Sequence, residues 1–283
     1  VVPSGNQGEV AFLTGMDLRA AESLADVTEF LRGNNDLQVV EATAGIGGAT
    51  HGTAVDFADI RGQATAKRAL EVACSGGHSL VLCGAPGSGK SMLAKAMPGI
   101  LPQLSREESL VVTRIQSAAG ILAPGQGLVT ARPFRAPHHT VTASALVGGG
   151  ANPRPGEVTL AHTGVLFLDE LPLFPPSVLN ALRQPLEDGV TVVTRSRATY
   201  RFPSRFVLAA AMNPCPCGYF GDEVRECTCT EYARKQYAAR VSGPLWDRID
   251  LFVEVNRVDA GDLSGASSES SMQVRERVEA ARQ

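Results

Sequence analysis

The sequence predicts an α/β protein in which a parallel sheet is flanked by helices and interrupted by β-hairpin insertions. Three stretches carry that expectation: "LVLC", "VLFL" and "FVLAAAM" are unbroken apolar runs of strand length. Such runs suit strands buried on both faces, as in a parallel sheet. Each leads into a residue fit to meet a ligand, Gly84, Asp169 and Asn213 respectively, at the strand end where open α/β sheets place their ligands.

Composition permits this architecture. The chain has 283 residues, 44% hydrophobic and 19% charged, enough for a substantial core and for one or two domains. A formal net charge of −3 excludes nucleic-acid or membrane-surface binding driven by bulk charge, so any such contact needs a local patch. No apolar run approaches the ~18 residues of a membrane span, and the opening "VVPSGNQGEV" lacks a signal-peptide layout. A cytoplasmic location without membrane contact is expected, where six cysteines read as thiols or metal ligands before disulfides.

Residues 1–34 read as a short strand at "GEVAFL" and an amphipathic helix around "SLADVTEFLRG", too little for a domain. The Gly-rich segment 35–55, containing "AGIGGATHGT", suits a linker. A helix at "GQATAKRALEVAC" then precedes the first buried strand.

That strand runs straight into "GAPGSGKS", Gly84, Ala85, Pro86, Gly87, Ser88, Gly89, Lys90 and Ser91, and then into the helical pattern "SMLAKAM". The strand, glycine loop, helix order is that of a phosphate-binding loop. Glycines let backbone N–H groups converge on phosphates, and the helix N-terminus adds its positive end. Lys90 would reach the β/γ oxygens, and the Ser91 hydroxyl would ligate Mg²⁺. The second strand ends in Asp169 and Glu170: the first would hold Mg²⁺ through water and the second would polarise an attacking water. Together these motifs imply binding and hydrolysis of ATP. The third strand ends in Asn213, whose amide would position the lytic water if that strand lies beside the second.

The motif order, together with "GGHSLVLCGAPGSGKSMLAKAMPGILP", "RPFRAPHHT", "GEVTLAHTGVLFLDEL", "AAMNPCPCGY" and "SGPLWDRIDL", resembles the AAA+ ATPases and, within them, the magnesium-chelatase-like YifB/ComM family. The resemblance runs from about residue 56 to the end. It implies a P-loop NTPase (AAA+) fold, with Asn213 as the sensor-1 residue and Arg248 as an arginine finger completing a neighbouring subunit's ATP site. On the residues alone, the favoured reading of Arg248 is as the partner of Asp247 or Asp250 on a solvated turn. A finger implies a closed ring, a homo-hexamer by similarity. Family members carry a Lon-protease-like domain, of which residues 1–34 resemble a small C-terminal remnant. Residues 56–258 then form the ATPase core and 259–283 the start of a truncated C-terminal lid, so the chain is expected to be a fragment.

Two insertions concern partners. "VTVVTRSRATYRF" alternates like a hairpin turning at Arg195, Ser196 and Arg197. It resembles the pore-lining hairpin of related helicase rings, where Arg195, Arg197 and Arg201 would face single-stranded or branched DNA; otherwise its arginines only protect a solvated edge. The segment of about 132–162 resembles a second pore-facing insertion with Arg132 and Arg135 as its charges and a reversal at Gly148 to Gly150. His138 and His139 are adjacent, so on a strand they would point to opposite faces and could not share a metal.

Four of the six cysteines, Cys215, Cys217, Cys227 and Cys229, follow Asn213 closely. The C-x-C pairs are tighter than the common C-x₂-C zinc spacing. A Zn²⁺ knuckle and four reduced thiols both remain open, a disulfide being the least favoured state. In either case the cluster shapes the sensor loop. Cys74 and Cys83 read as core residues. Three functions fit the whole: a DNA helicase or branch-migration motor in recombination or natural transformation, a magnesium-chelatase-type motor subunit, and an ATP-responsive regulatory scaffold. "NPCPCG" and the Lon-like remnant favour the first over the second, and the basic hairpin separates the first from the third.

Overall fold

The structure is a computed structural model that describes residues 1–11, 13, 15–41, 55–123, 126–150, 153–194, 198–258 and 269–283, the side chain of Glu9 aside. The chain divides into two compact units, Val1–Gly52 with Leu104–Ala131, and Thr53–Gln103 with Arg132–Gln283.

The larger unit holds the sheet that the apolar runs predict. Its strands are β1 (Leu80–Cys83), β2 (Phe134–Arg135), β3 (Val165–Leu168), β6 (Val207–Met212) and β7 (Leu251–Glu254), with β4 (Val190–Thr194) and β5 (Thr199–Pro203) forming a separate antiparallel hairpin. The five-stranded sheet has the order β7-β1-β6-β3-β2, and every neighbouring pair is parallel. Side chains alternate between its faces as the strand period requires. Leu80, Leu82, Val165, Phe167, Ala209 and Ala211 join one core, while Val81, Leu166, Leu168, Leu208 and Ala210 join the other. Both faces are covered, which is why these strands read as unbroken apolar runs. Helices α1 (Ala64–Gly76), α2 (Lys90–Ile100) and α3 (Ser271–Arg282) pack on the first core through residues such as Leu70, Leu93, Met97, Val274 and Val278. α3 is tied down further by Arg277, which donates to both Glu71 and Glu269. Residues 259–268, which precede it, lie outside the described residues.

In the smaller unit, Val2–Pro3 pairs in parallel with Arg19–Ala21, which pairs antiparallel with Gln38–Val39. Two expectations change here. The stretch expected as a strand at "GEVAFL" includes a helical turn, Gln7–Val10, and the place beside Arg19–Ala21 is taken by Val2–Pro3. The expected linker contributes the strand Gln38–Val39; its glycine-rich part, 42–54, lies outside the described residues. The helices Leu24–Leu31 and Arg106–Ala119 each begin in a capping box, Ser23 with Asp26 and Ser105 with Glu108, the reciprocal arrangement that satisfies otherwise orphaned N–H groups.

Candidate active site

The loop between β1 and α2 turns through left-handed Gly87 and Gly89, at φ 80° and 93°. That backbone suits an anion-binding nest opening on a helix N-terminus. The Lys90 side chain folds over the loop and donates to the carbonyls of Gly84 (2.8 Å) and Ala85 (2.9 Å) and to Asn213 Oδ1 (3.3 Å). Burial lowers the Lys90 pKa, and the Asp169 charge opposes that shift. The adjacency of β6 to both β1 and β3 brings Asn213 to the level of the loop. Ser91 Oγ donates to Asp169 Oδ2 at 2.8 Å. A hydroxyl and a carboxylate so close at one edge form a hard oxygen pair that fits Mg²⁺.

Glu170 follows in the left-handed region, φ 55° and ψ 48°, and its own N–H donates to Asp169 Oδ1 at 3.0 Å. A non-glycine residue there is uncommon, and such conformations concentrate at functional sites. Pro86, Gly87, Gly89, Lys90, Ser91, Asp169, Glu170 and Asn213 line one open cleft of about 740 Å³, together with His138 and His139. The histidines follow β2 in a turn, with ring centroids 4.0 Å apart, not on opposite faces of a strand. His139 Nδ1 is 3.6 Å from Glu170 Oε2, so the pair belongs to the cleft as a neighbour of the acid. Its only trace in the sequence is that "APHH" follows the short β2 that borders β3. Gln63, also missed, is left-handed at φ 57° and bridges the carbonyls of Ser88 and Asn256 through Nε2 (3.2 and 2.6 Å).

The arginines separate. Arg248 does not line the cleft; its guanidinium donates to Pro244 O at 2.8 Å and forms an ion pair with Glu187, not with Asp247 or Asp250 as its turn suggested. Arg132 donates to the carbonyls of Pro102, Thr163 and Gln103. Arg135 holds Glu157 with two bonds of 2.6 and 2.8 Å. Both brace the fold here, their donors engaged by carbonyls and a carboxylate of the same chain. Arg201 is exposed on β5. Tyr200 and Phe202 flank it on the opposite face of the strand with their rings stacked at 6.4 Å. Arg195 and Arg197 lie outside the described residues.

The four cysteines that follow Asn213 come together. Sγ separations are 3.3 Å for Cys215 and Cys217, 3.7 Å for Cys215 and Cys227, and 3.6 Å for Cys217 and Cys227. All four sulfurs, Cys229 included, lie within 4.8 Å of one another. The backbone N–H groups of Cys217 and Cys229 donate to the sulfurs of Cys229 and Cys227, each at 3.4 Å. A tetrahedral thiolate site with Zn–S of about 2.3 Å has S···S edges of about 3.8 Å, so the donor set fits the metal in chemistry and spacing. The Tyr219 backbone pulls the Cys217 thiol down to about 6. Burial pushes Cys74 up to about 12 and Cys83 up to about 11, as befits core thiols.

Comparison with known proteins gives this geometry its context. The family described as magnesium chelatase, subunit ChlI, matches residues 56–263. The chain is 43% identical to the uncharacterised protein YifB of Escherichia coli, matching 100% of this chain and 55% of that one. It is 41% identical to the competence protein ComM of Haemophilus influenzae, matching 98% of this chain and 55% of that one. The chain thus spans just over half the length of these relatives. Among solved structures it resembles the complex between subunits BchI and BchD of magnesium chelatase, with TM-score 0.50 and 23% identity over 79% of this chain and 66% of that one; the likeness is one of fold. Among the described residues no helix is long and apolar enough to cross a membrane.

Proposed function

The chain belongs to the magnesium-chelatase-like AAA+ family of YifB and ComM, and on that premise we propose that it is the ATP-binding and ATP-hydrolysing part of a ring-shaped motor. The observation that carries the reading is the convergence of Lys90, Ser91, Asp169, Glu170 and Asn213 on one cleft. In this reading the loop N–H groups and Lys90 hold the β/γ phosphates, and Lys90 exchanges its bonds to Gly84 and Ala85 for phosphate oxygens. Ser91 and Asp169 hold Mg²⁺, which neutralises charge on those oxygens. Glu170 polarises the attacking water and Asn213 orients it. Arg248 acts on the neighbouring subunit's site in a homo-hexamer, which requires it to leave Glu187.

We propose further that the substrate is single-stranded or branched DNA. The support is Arg201, exposed on a hairpin strand, since a cation so placed can track a nucleic-acid backbone. The competence role in ComM's name agrees with it. The proposed contacts are Arg195, Arg197 and Arg201, with Arg132 and Arg135 contributing only if they exchange their bonds within the chain for phosphate oxygens. The cysteine cluster is proposed to hold one Zn²⁺. The test of the motor reading is ATP turnover by the full-length protein with and without single-stranded and branched DNA. Stimulation by DNA supports it; turnover indifferent to DNA moves the chelatase-type or regulatory reading ahead.

A further inference from the structure

Resting on the zinc reading above, we infer that the four-cysteine knuckle is a strut for the phosphate-binding loop, so that zinc occupancy sets how tightly the loop binds nucleotide. Three observations lead there. The knuckle begins two residues after Asn213, whose side chain already touches Lys90. It then returns to the loop: Gly218, held by its N–H to Cys215 O at 3.0 Å, lies directly against Pro86. A Cβ on Gly218 would sit 2.8 Å from both Cγ and Cδ of Pro86, and the residue is left-handed at φ 89°. Backbone of the knuckle and ring of the loop are thus in contact with no space for a methyl group.

The second observation is what holds the knuckle together. Between Pro214 and Cys229 only Cys215 and Gly218 are buried, so the segment has almost no apolar core. Its order comes from the sulfur cluster, from Asp222 accepting the N–H groups of Val224 and Arg225, and from Arg225 and Arg234 stacked over Tyr219 and Phe220 at 4.2 and 4.3 Å. A segment this poor in buried carbon depends on a metal for its fold, because binding energy is then folding energy.

Third, the far side of the knuckle is anchored. Arg257 Nε donates to Asp222 Oδ2 at 2.8 Å, tying the turn between the cysteine pairs to the chain just after β7. Metal at the sulfurs, with Asp222 anchored behind, holds Gly218 against Pro86. Without the metal that support is lost, and the loop must order itself when it binds phosphates. Because the coupling is between two binding equilibria, it is reciprocal: nucleotide also tightens the metal.

The experiment measures zinc per chain and the affinity for a non-hydrolysable ATP analogue with Mg²⁺ on the same full-length samples. Three proteins are compared, the parent, Cys227→Ser/Cys229→Ser and Gly218→Ala, with thermal unfolding confirming that the remainder of each is folded. The parent is expected to carry about one zinc. The double serine variant should carry none and bind the analogue about tenfold or more weakly. Gly218→Ala keeps all four thiols, so it should keep its zinc and still lose affinity, because the new methyl pushes Pro86 away. Parent-like affinity in a folded, zinc-free serine variant overturns the inference while leaving the zinc reading intact. A parent with no zinc and four titratable thiols overturns the zinc reading and the inference with it. If Gly218→Ala fails to fold, the serine variant decides alone.

Discussion

Replacing Lys90 by alanine removes the ammonium that donates to the carbonyls of the proposed phosphate-binding loop. Lys90 is 9% exposed and its ammonium already sits at hydrogen-bond distance from two loop carbonyls, so a phosphate oxygen displacing those carbonyls would lie about 3 Å away. At an effective dielectric of about 20 the gross attraction is about 5 to 6 kcal/mol. Desolvation and the lost carbonyl bonds offset most of it, leaving the about 1.5 to 3 kcal/mol typical of a charged hydrogen bond. Affinity for Mg²⁺-ATP should therefore fall about 10- to 150-fold. The substitution also leaves Gly84 O and Ala85 O without the ammonium donor, so thermal unfolding on the same samples confirms that the variant is folded. Equilibrium titration with a fluorescent nucleotide reads the effect, and Lys90→Arg, which keeps charge but not shape, should fall between. A folded Lys90→Ala protein with parent-like affinity would refute the placement of phosphate at this loop.

Arg135→Ala should lower stability by about 1 to 2 kcal/mol in urea unfolding, because it breaks a bidentate, half-buried pair with Glu157, and should leave DNA affinity unchanged; weakened DNA binding at parent-like stability would restore it to the contact set. Alanine at Arg195, Arg197 and Arg201 together should spare basal ATP turnover, weaken single-stranded DNA binding and flatten its salt dependence, since each lost phosphate contact removes about 0.7 from the slope of log affinity on log salt. An unaltered slope would take the hairpin off the DNA. The Arg277 hydrogen bond holds the Glu71 carboxyl below its ordinary 4.5. A depressed carboxyl contributes stability above the unfolded pKa and loses it as pH falls through the folded one, so an Arg277→Leu variant should be about 1 kcal/mol less stable at pH 7 and match the parent at acid pH. A gap that persists below both pKa values would assign the loss to packing of α3.

Local chemistry was legible in the sequence where it stays local. The glycine loop, the acids ending β3 and the amide ending β6 are each adjacent to the strand that places them. The doubly buried sheet makes those strands unmistakable, because no polar alternation interrupts them. What the sequence could not reveal depends on partners far along the chain. Arg248 reads as the mate of Asp247 or Asp250 until Glu187 comes alongside, and Arg132 and Arg135 look like free charges until Pro102, Thr163 and Glu157 meet them. His139 is uninformative until β2 docks beside β3 and carries it to Glu170. The cysteine spacing admits a metal, but only the folded loop shows four sulfurs converging and Gly218 seated on Pro86.

If this cleft hydrolyses ATP as proposed, Glu170 is the base that polarises water. Steady-state phosphate release by the full-length parent and by Glu170→Gln, with nucleotide affinity measured on the same samples, tests it most directly. The parent is expected to show Mg²⁺-dependent turnover, and the variant to bind ATP with similar affinity but hydrolyse it about 10²- to 10⁴-fold more slowly, the span expected for loss of a general base. Equal rates in the two proteins, or a folded full-length parent that binds Mg²⁺-ATP without hydrolysing it, would contradict it.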